Sequence, residues 1–199
     1  QGEYMGATPV HLMAWSKYKS DGSLCYKDIL SLDGTENTAN YNGVVFELPD
    51  NISSNTSSVA LYHTTHTNFN TKIINISGKT KEYFMLENIG HDGYQAGLDY
   101  LLWGNDNTSG IAIWHIDDNQ SNNGADVNHK LVDLEEAAEA GMDNSSHSGK
   151  QTNLFFSGNK TEFSDSTDPN SKTYSGTSSG ITIDNISAAG DSMTFDVTF

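Results

Sequence analysis

Apolar residues in this chain come in short bursts, and stretches rich in Asn, Ser, Thr and Gly separate them. The densest bursts are EYFMLENI (82–89) and IAIWHID (111–117). None approaches the roughly eighteen apolar residues that a membrane-crossing helix requires. Bursts of this length suit strands, and the intervening residue types suit turns. Apolar residues make up 35% of the chain, against about 45–50% (glycine included) in a typical globular domain. That leaves little material for long amphipathic helices. The expectation is a mostly β chain: an antiparallel β-sandwich-like module with two short helices.

Along the chain, TPVHLMAWSKYK (8–19) reads as the first helix. Thr8 suits the N-cap, Pro9 the first helical position, and Leu12, Met13 and Trp15 an apolar face; Asp21-Gly22 ends it. LCYKDILSL (24–32), VVFEL (44–48), VALYHTTH (59–66) and TKIINI (71–76) follow as strands. EYFMLENI, apolar on both alternating faces, is expected at the centre of a sheet, with IAIWHID as a further strand. VDLEEAAEAG (132–141) reads as a second, acidic helix stopped by Gly141. The closing region is a hairpin, GITIDNIS and SMTFDVTF around AAGD. It sets Ile181, Ile183 and Ile186 against Met193, Phe195, Val197 and Phe199.

Ten Lys, no Arg and twenty-six Asp plus Glu give a formal net charge of −16. Such a surface repels nucleic acid and anionic membranes and attracts divalent cations. Cys25 is the only cysteine, so no intrachain disulfide supports the fold; it is expected to be a small core or strand residue. That does not conflict with an extracellular setting.

The zinc-peptidase signature H-E-x-x-H would place two imidazoles on one helical face with a glutamate between them. It is absent; His63 and His66 in HTTH flank Thr rather than Glu, on a segment that reads as strand. The P-loop and the dinucleotide glycine fingerprint are also absent. What stands out is an oxygen-rich set. Asp117 and Asp118 lie, with Asn119, where a strand exits into a polar loop. Asp133, Glu135 and Glu136 open the acidic helix, and Glu87 sits inside an apolar strand. A carboxylate in such a strand is costly unless paired or metal-bound. Calcium takes six to eight oxygens of these kinds, although the spacing is not that of a twelve-residue EF-hand loop. The competing reading gives Asp133 and its neighbours to the positive helix N-terminus and leaves the strand-end acids solvated. His115 shares a strand face with Asp117 and is read as a hydrogen-bonded core histidine. Tyr94, Tyr100 and Trp103 fall in one loop region; they are either a small core under that loop or a stacking platform for carbohydrate or a cell surface.

The order of segments carries more information. GATPVHLMAWSK comes first, then EYFMLEN, SGIAIWHID and VDLEEA, and finally NLFFSGNKTEFSDSTDPNSKTYSGTSSGITIDNIS. Over about residues 5–199 this series resembles the region that follows the zinc motif in secreted bacterial metallopeptidases of the immune-inhibitor-A type, the sixth metallopeptidase family. In that family, a proline-led helix, a YFLLEN-like strand, an IWHID-like strand and a DLEEA segment occur in this order. An F-x-x-x-(T/S)-x-P-x-S segment and an SGI-x-I-x-NIS strand then finish the module. The resemblance implies that residues 1–22 continue from an upstream catalytic part, not present in this sequence, that holds the zinc, and that 23–199 form a β-rich module. The implied partners are that catalytic part and the protein substrate of the parent peptidase; the implied setting is secreted, with calcium for stability. No position here matches the family's zinc ligands, so the chain alone is expected to be inactive. The alternative is a stand-alone extracellular carbohydrate- or surface-binding β module.

Overall fold

The structure, a computed structural model, describes residues 38–41, 44–47, 49–63, 70–90, 109–121, 123, 126, 128–138 and 150–199. The expected helix at 8–19, Cys25 and the aromatic residues Tyr94, Tyr100 and Trp103 lie outside them.

The described chain is mostly β and forms a sandwich-like module, as the short bursts imply. Strands β1 (Thr38–Tyr41) and β2 (Val44–Glu47) pair as a separate antiparallel ribbon. The larger sheet has five strands in the order β3 (Asp50–Ile52), β5 (Thr71–Asn75), β6 (Glu82–Ile89), β7 (Gly110–Asp117) and β8 (Val132–Leu134). Its pairs are antiparallel except for β3 on β5. EYFMLENI is its central strand, buried throughout save for the half-buried Ile89. The smaller sheet sets β10 (Ser192–Thr198) between β4 (Thr56–Tyr62) and β9 (Thr182–Asp184).

Alternation decides which face meets which. On β10, Met193, Phe195 and Val197 are buried while Ser192, Thr194 and Thr198 are exposed. The expected hairpin is present, with Ile181, Ile183 and Ile186 buried; Phe199 is instead the large apolar side chain left exposed. The inward side chains of the smaller sheet join Ile74, Phe84, Leu86, Ile111 and Ile113 of the larger one in the main core. Phe163 packs edge-on against Phe84 and Phe155 in this core. The opposite face of the larger sheet carries a second cluster: Ile73, Tyr83, Met85, Ile116 and Val132, with Trp114 and Leu131 against it.

Backbone geometry fixes two junctions. Gly78 turns the chain between β5 and β6 at φ +75, a left-handed conformation that glycine adopts without strain. At Gly110 a side chain would bring a Cβ within 2.7 Å of Leu154 Cβ. The missing Cβ lets Phe155 approach, and its N–H and carbonyl both bond to Ile111.

The acidic helix expected at 132–141 is not formed over its described part. Val132–Leu134 is an edge strand, pairing Val132 with Ile116 and Leu134 with Trp114. Val132 and Leu134 are two residues apart, so in a strand both turn toward the second apolar cluster while Asp133 faces the other way. The open edge of β7 also offers main-chain partners. Those gains outweigh the helix propensity of the Glu- and Ala-rich residues that follow.

Candidate functional site

The polar centre of the larger sheet is built by register. Glu82 on β6 pairs with Asp117 on β7, and Phe84 with His115, so Glu82, His115 and Asp117 share one face. His115 pairs with Asp133 on β8, and the chain leaving β8 carries Glu135 onto this same centre. His115 is 3% exposed and lies between two carboxylates, with Nε2 3.2 Å from Glu82 and Nδ1 3.1 Å from Glu135. Its ring tilts against Phe84 and stacks on Tyr174 at 4.1 Å and 11°. This is the hydrogen-bonded core histidine that the alternation on β7 implied.

Glu82 is engaged three times: by His115, by the Tyr174 backbone N–H at 2.7 Å and by Lys79 Nζ at 3.1 Å. Lys79 is brought there by the turn at Gly78, closed by a bond from the Lys79 N–H to the Ile76 carbonyl. Tyr174 also stacks against His129 at 4.3 Å, so both faces of its ring are covered by imidazoles and neither is open to a sugar or base. Burial pushes its phenol well above the ordinary tyrosine value, and Asp133, Glu135 and Glu82 add to the shift.

Tyr174 is delivered by a loop that a single carboxylate organises. Asp165 accepts hydrogen bonds from the Ser171, Ser178 and Ser179 hydroxyls and from the Ser179 and Gly180 N–H groups. Burial alone would raise its pKa, but these donors outweigh it and hold the carboxyl below the usual aspartate value. Nearby, Thr167 Oγ1 accepts from the Ser164 N–H and donates to the Pro169 carbonyl, and the Ser171 hydroxyl shares its one proton between Asp165 and the nearer Ile181 carbonyl. The F-x-x-x-T-x-P-x-S segment is therefore a self-bonded loop seated on the core by Phe163.

At the exit of β7 the chain turns sharply. Asp117 Oδ1 takes the N–H and the side-chain amide of Asn119, and Oδ2 lies 2.7 Å from His129 Nε2. Burial opposes ionisation of Asp117, yet the Asn119 and His129 contacts prevail and lower its pKa. A cavity of about 250 Å³ opens here, lined by residues including Lys79, Lys81, Glu82, Asp117, His129 and Tyr174.

The six residues read as calcium ligands are not brought together as one set. Asp117 and Asp118 stay neighbours at the strand exit, where the Tyr83 hydroxyl donates to Asp118 at 3.3 Å. Asp133 takes Lys130, Glu135 faces His115, and Glu136 takes the Asn153 amide. Glu87 pairs with Ala112 and Thr71 on the opposite face of the sheet, five positions along β6 from Glu82. Among the described residues, no group of three or more His, Cys, Asp or Glu side chains is arranged to hold a metal. Asp133 at the start of a helix is likewise replaced by Asp133 on an edge strand.

Sequence reasoning missed Glu82, Lys79, His129 and Tyr174. Alternation on β7 was enough to pair His115 with Asp117, but Glu82 joins them only once the β6–β7 register is known. Tyr174 lies in a turn-rich stretch without periodicity, and nothing local marks it. Compared with known proteins, the chain matches no family model, no curated protein and no solved structure.

Proposed function

We propose that this chain is the non-catalytic, carboxyl-side portion of a secreted zinc-metallopeptidase-like protein, a β scaffold for a catalytic part upstream. One observation carries the reading: the stretches that resemble that family converge on a single polar centre. EYFMLEN brings Glu82, IWHID brings His115, DLEEA brings Glu135, and the closing region brings Tyr174. The carboxylates and imidazoles there face one another or a neighbouring donor. Glu82 has three partners, both His115 nitrogens face carboxylates, and both faces of Tyr174 are covered. Groups engaged in this way hold chain segments in place rather than present themselves to a substrate. The decisive assay is zinc-dependent cleavage of casein by the purified chain. The expected result is none at any zinc concentration, and measurable turnover overturns the proposal.

Structural calcium belongs to the same proposal, now centred on the β7 exit. There Asp117 is held ionised and Asp118 follows it, beside amide and carbonyl oxygens of the turn. The melting temperature is expected to be higher in millimolar calcium than in chelator. At a hundred times Kd the gain would be about 2.7 kcal/mol. Equal melting temperatures would remove calcium from the proposal.

A further inference from the structure

The loop that delivers Tyr174 contains a peptide bond whose reacting groups are all placed. Asp168 precedes Pro169, so the bond between them is a tertiary amide whose nitrogen carries no proton. Lys160 Nζ donates to the Asp168 carbonyl oxygen. Asp168 is exposed, and its carboxylate has no hydrogen-bonding partner among the described residues. One methylene joins that carboxylate to the backbone, so attack on its own carbonyl carbon closes a five-membered ring. The fold also grips the chain on both sides of this bond. Phe163 and Ile183 exchange main-chain bonds, the Ser164 carbonyl takes the Ser171 N–H, and Asp165 takes the Ser179 and Gly180 N–H groups. Beyond it, β10 is held between β4 and β9.

We propose that Asp168–Pro169 is a self-cleavage site, at which the chain divides and its two pieces stay assembled. An Asp168 carboxylate oxygen attacks the Asp168 carbonyl carbon, and a C–O bond forms. The carbonyl electron pair moves onto the carbonyl oxygen, where the Lys160 ammonium faces the developing charge. As the carbonyl reforms, the C–N bond breaks. The proline nitrogen keeps that pair, takes a proton from solvent and leaves as the new amino terminus. Water then opens the cyclic anhydride, restoring the Asp168 side chain and giving a new terminal carboxylate. One water is consumed, and no oxidant, cofactor or second protein is needed. Attack within one residue supplies the high effective concentration that such a step requires. This inference is independent of any peptidase relationship.

The test holds the purified chain in mildly acidic buffer, where the leaving nitrogen finds its proton, and follows intact mass. The expected products are residues 1–168 and 169–199, which co-elute in native size exclusion and separate in urea. The rate constant should not depend on protein concentration. Lys160→Met is expected to cleave about tenfold more slowly or less, for want of one charged donor, with exchange at the Tyr174 N–H unchanged. Lys160→Arg should keep the rate, and the urea-unfolded chain should fall to that of Lys160→Met. Asp168→Ala should not be cleaved there. No cleavage at this bond, equal rates in the folded, unfolded and Lys160→Met chains, a rate constant that rises with protein concentration, or pieces that part without denaturant each overturn the proposal.

Discussion

His115 shows how much one buried side chain can organise. Replacing it with alanine leaves Glu82 and Glu135 without the group between them and opens a gap beside Phe84 and Tyr174. Leaving a buried hydrogen-bonding group without its partner costs about 1–3 kcal/mol. His115→Ala is expected to lose stability in that range in urea denaturation, with faster hydrogen exchange at the Tyr174 N–H reporting a loosened environment. Asp165 is the second such residue, though it is a surface-loop organiser. Asp165→Ala strands the Ser179 N–H, for an expected loss of about 1–3 kcal/mol. Limited proteolysis should then cut first within 164–180. The two residues differ in legibility. His115 announced its role through alternation on a strand whose limits were plain in the sequence. Asp165 sits among serines and threonines in no periodic pattern, and its five donors become visible only when the loop has closed.

Strand elements were readable where apolar residues alternate over several positions, as in β6, β7 and β10, because burial on one or both faces leaves few alternatives. β8 was not. Three residues carry too short a pattern, and the following glutamates and alanines favour helix until the open edge of β7 competes for them. The asparagine content, read from sequence as turn material, has a second use at the sheet edges. Asn123 caps β8 through both main-chain groups of Val132. Asn70 caps β4 in the same way: its Oδ1 accepts the Tyr62 N–H and its Nδ2 donates to the Ala60 carbonyl. An uncapped edge is a template for pairing with another chain. Asn70→Ala is expected to raise hydrogen exchange at Tyr62 selectively and to increase association at high protein concentration in light scattering. Unchanged exchange at Tyr62 would show that the cap contributes nothing.

Across the whole molecule, stability should pass through a maximum in mildly acidic solution. The chain carries −16 at pH 7 and its isoelectric point is near 4.5, so lowering the pH from neutral first relieves self-repulsion. Asp184 acts in the same direction. Burial, then Asp196 and Glu162, raise its pKa, and its protonation relieves a folded-state cost. Below the ordinary aspartate value of about 3.9 the sign reverses. Asp117, Asp165 and Asp196 have lowered folded pKa values. Their contribution is complete above the unfolded value and is lost as the pH falls through the folded ones. Melting temperatures across pH 3–7 should trace this rise and fall, and Asp165→Asn should flatten the acid limb. The sandwich class was legible at this scale because composition and burst length both restrict it. The polar centre was not, because its residues, between 79 and 174, are brought together by sheet register, the turn at Gly78 and the closing of the Asp165 loop.

The pairing of β4 with β10 has a consequence in time. The larger sheet joins strands close in sequence along β5, β6, β7 and β8, but β4 ends at residue 62 and meets its partner only at residue 192. On a ribosome, β4 emerges long before β10 exists, with Val59 and Leu61 uncovered. Contacts of such separation form slowly, because the intervening chain must be ordered before they are rewarded. Refolding followed by pulsed hydrogen exchange should protect β6 and β7 ahead of β4. Protection of β4 along its length then serves as a receipt that the chain has been made at least as far as Val197.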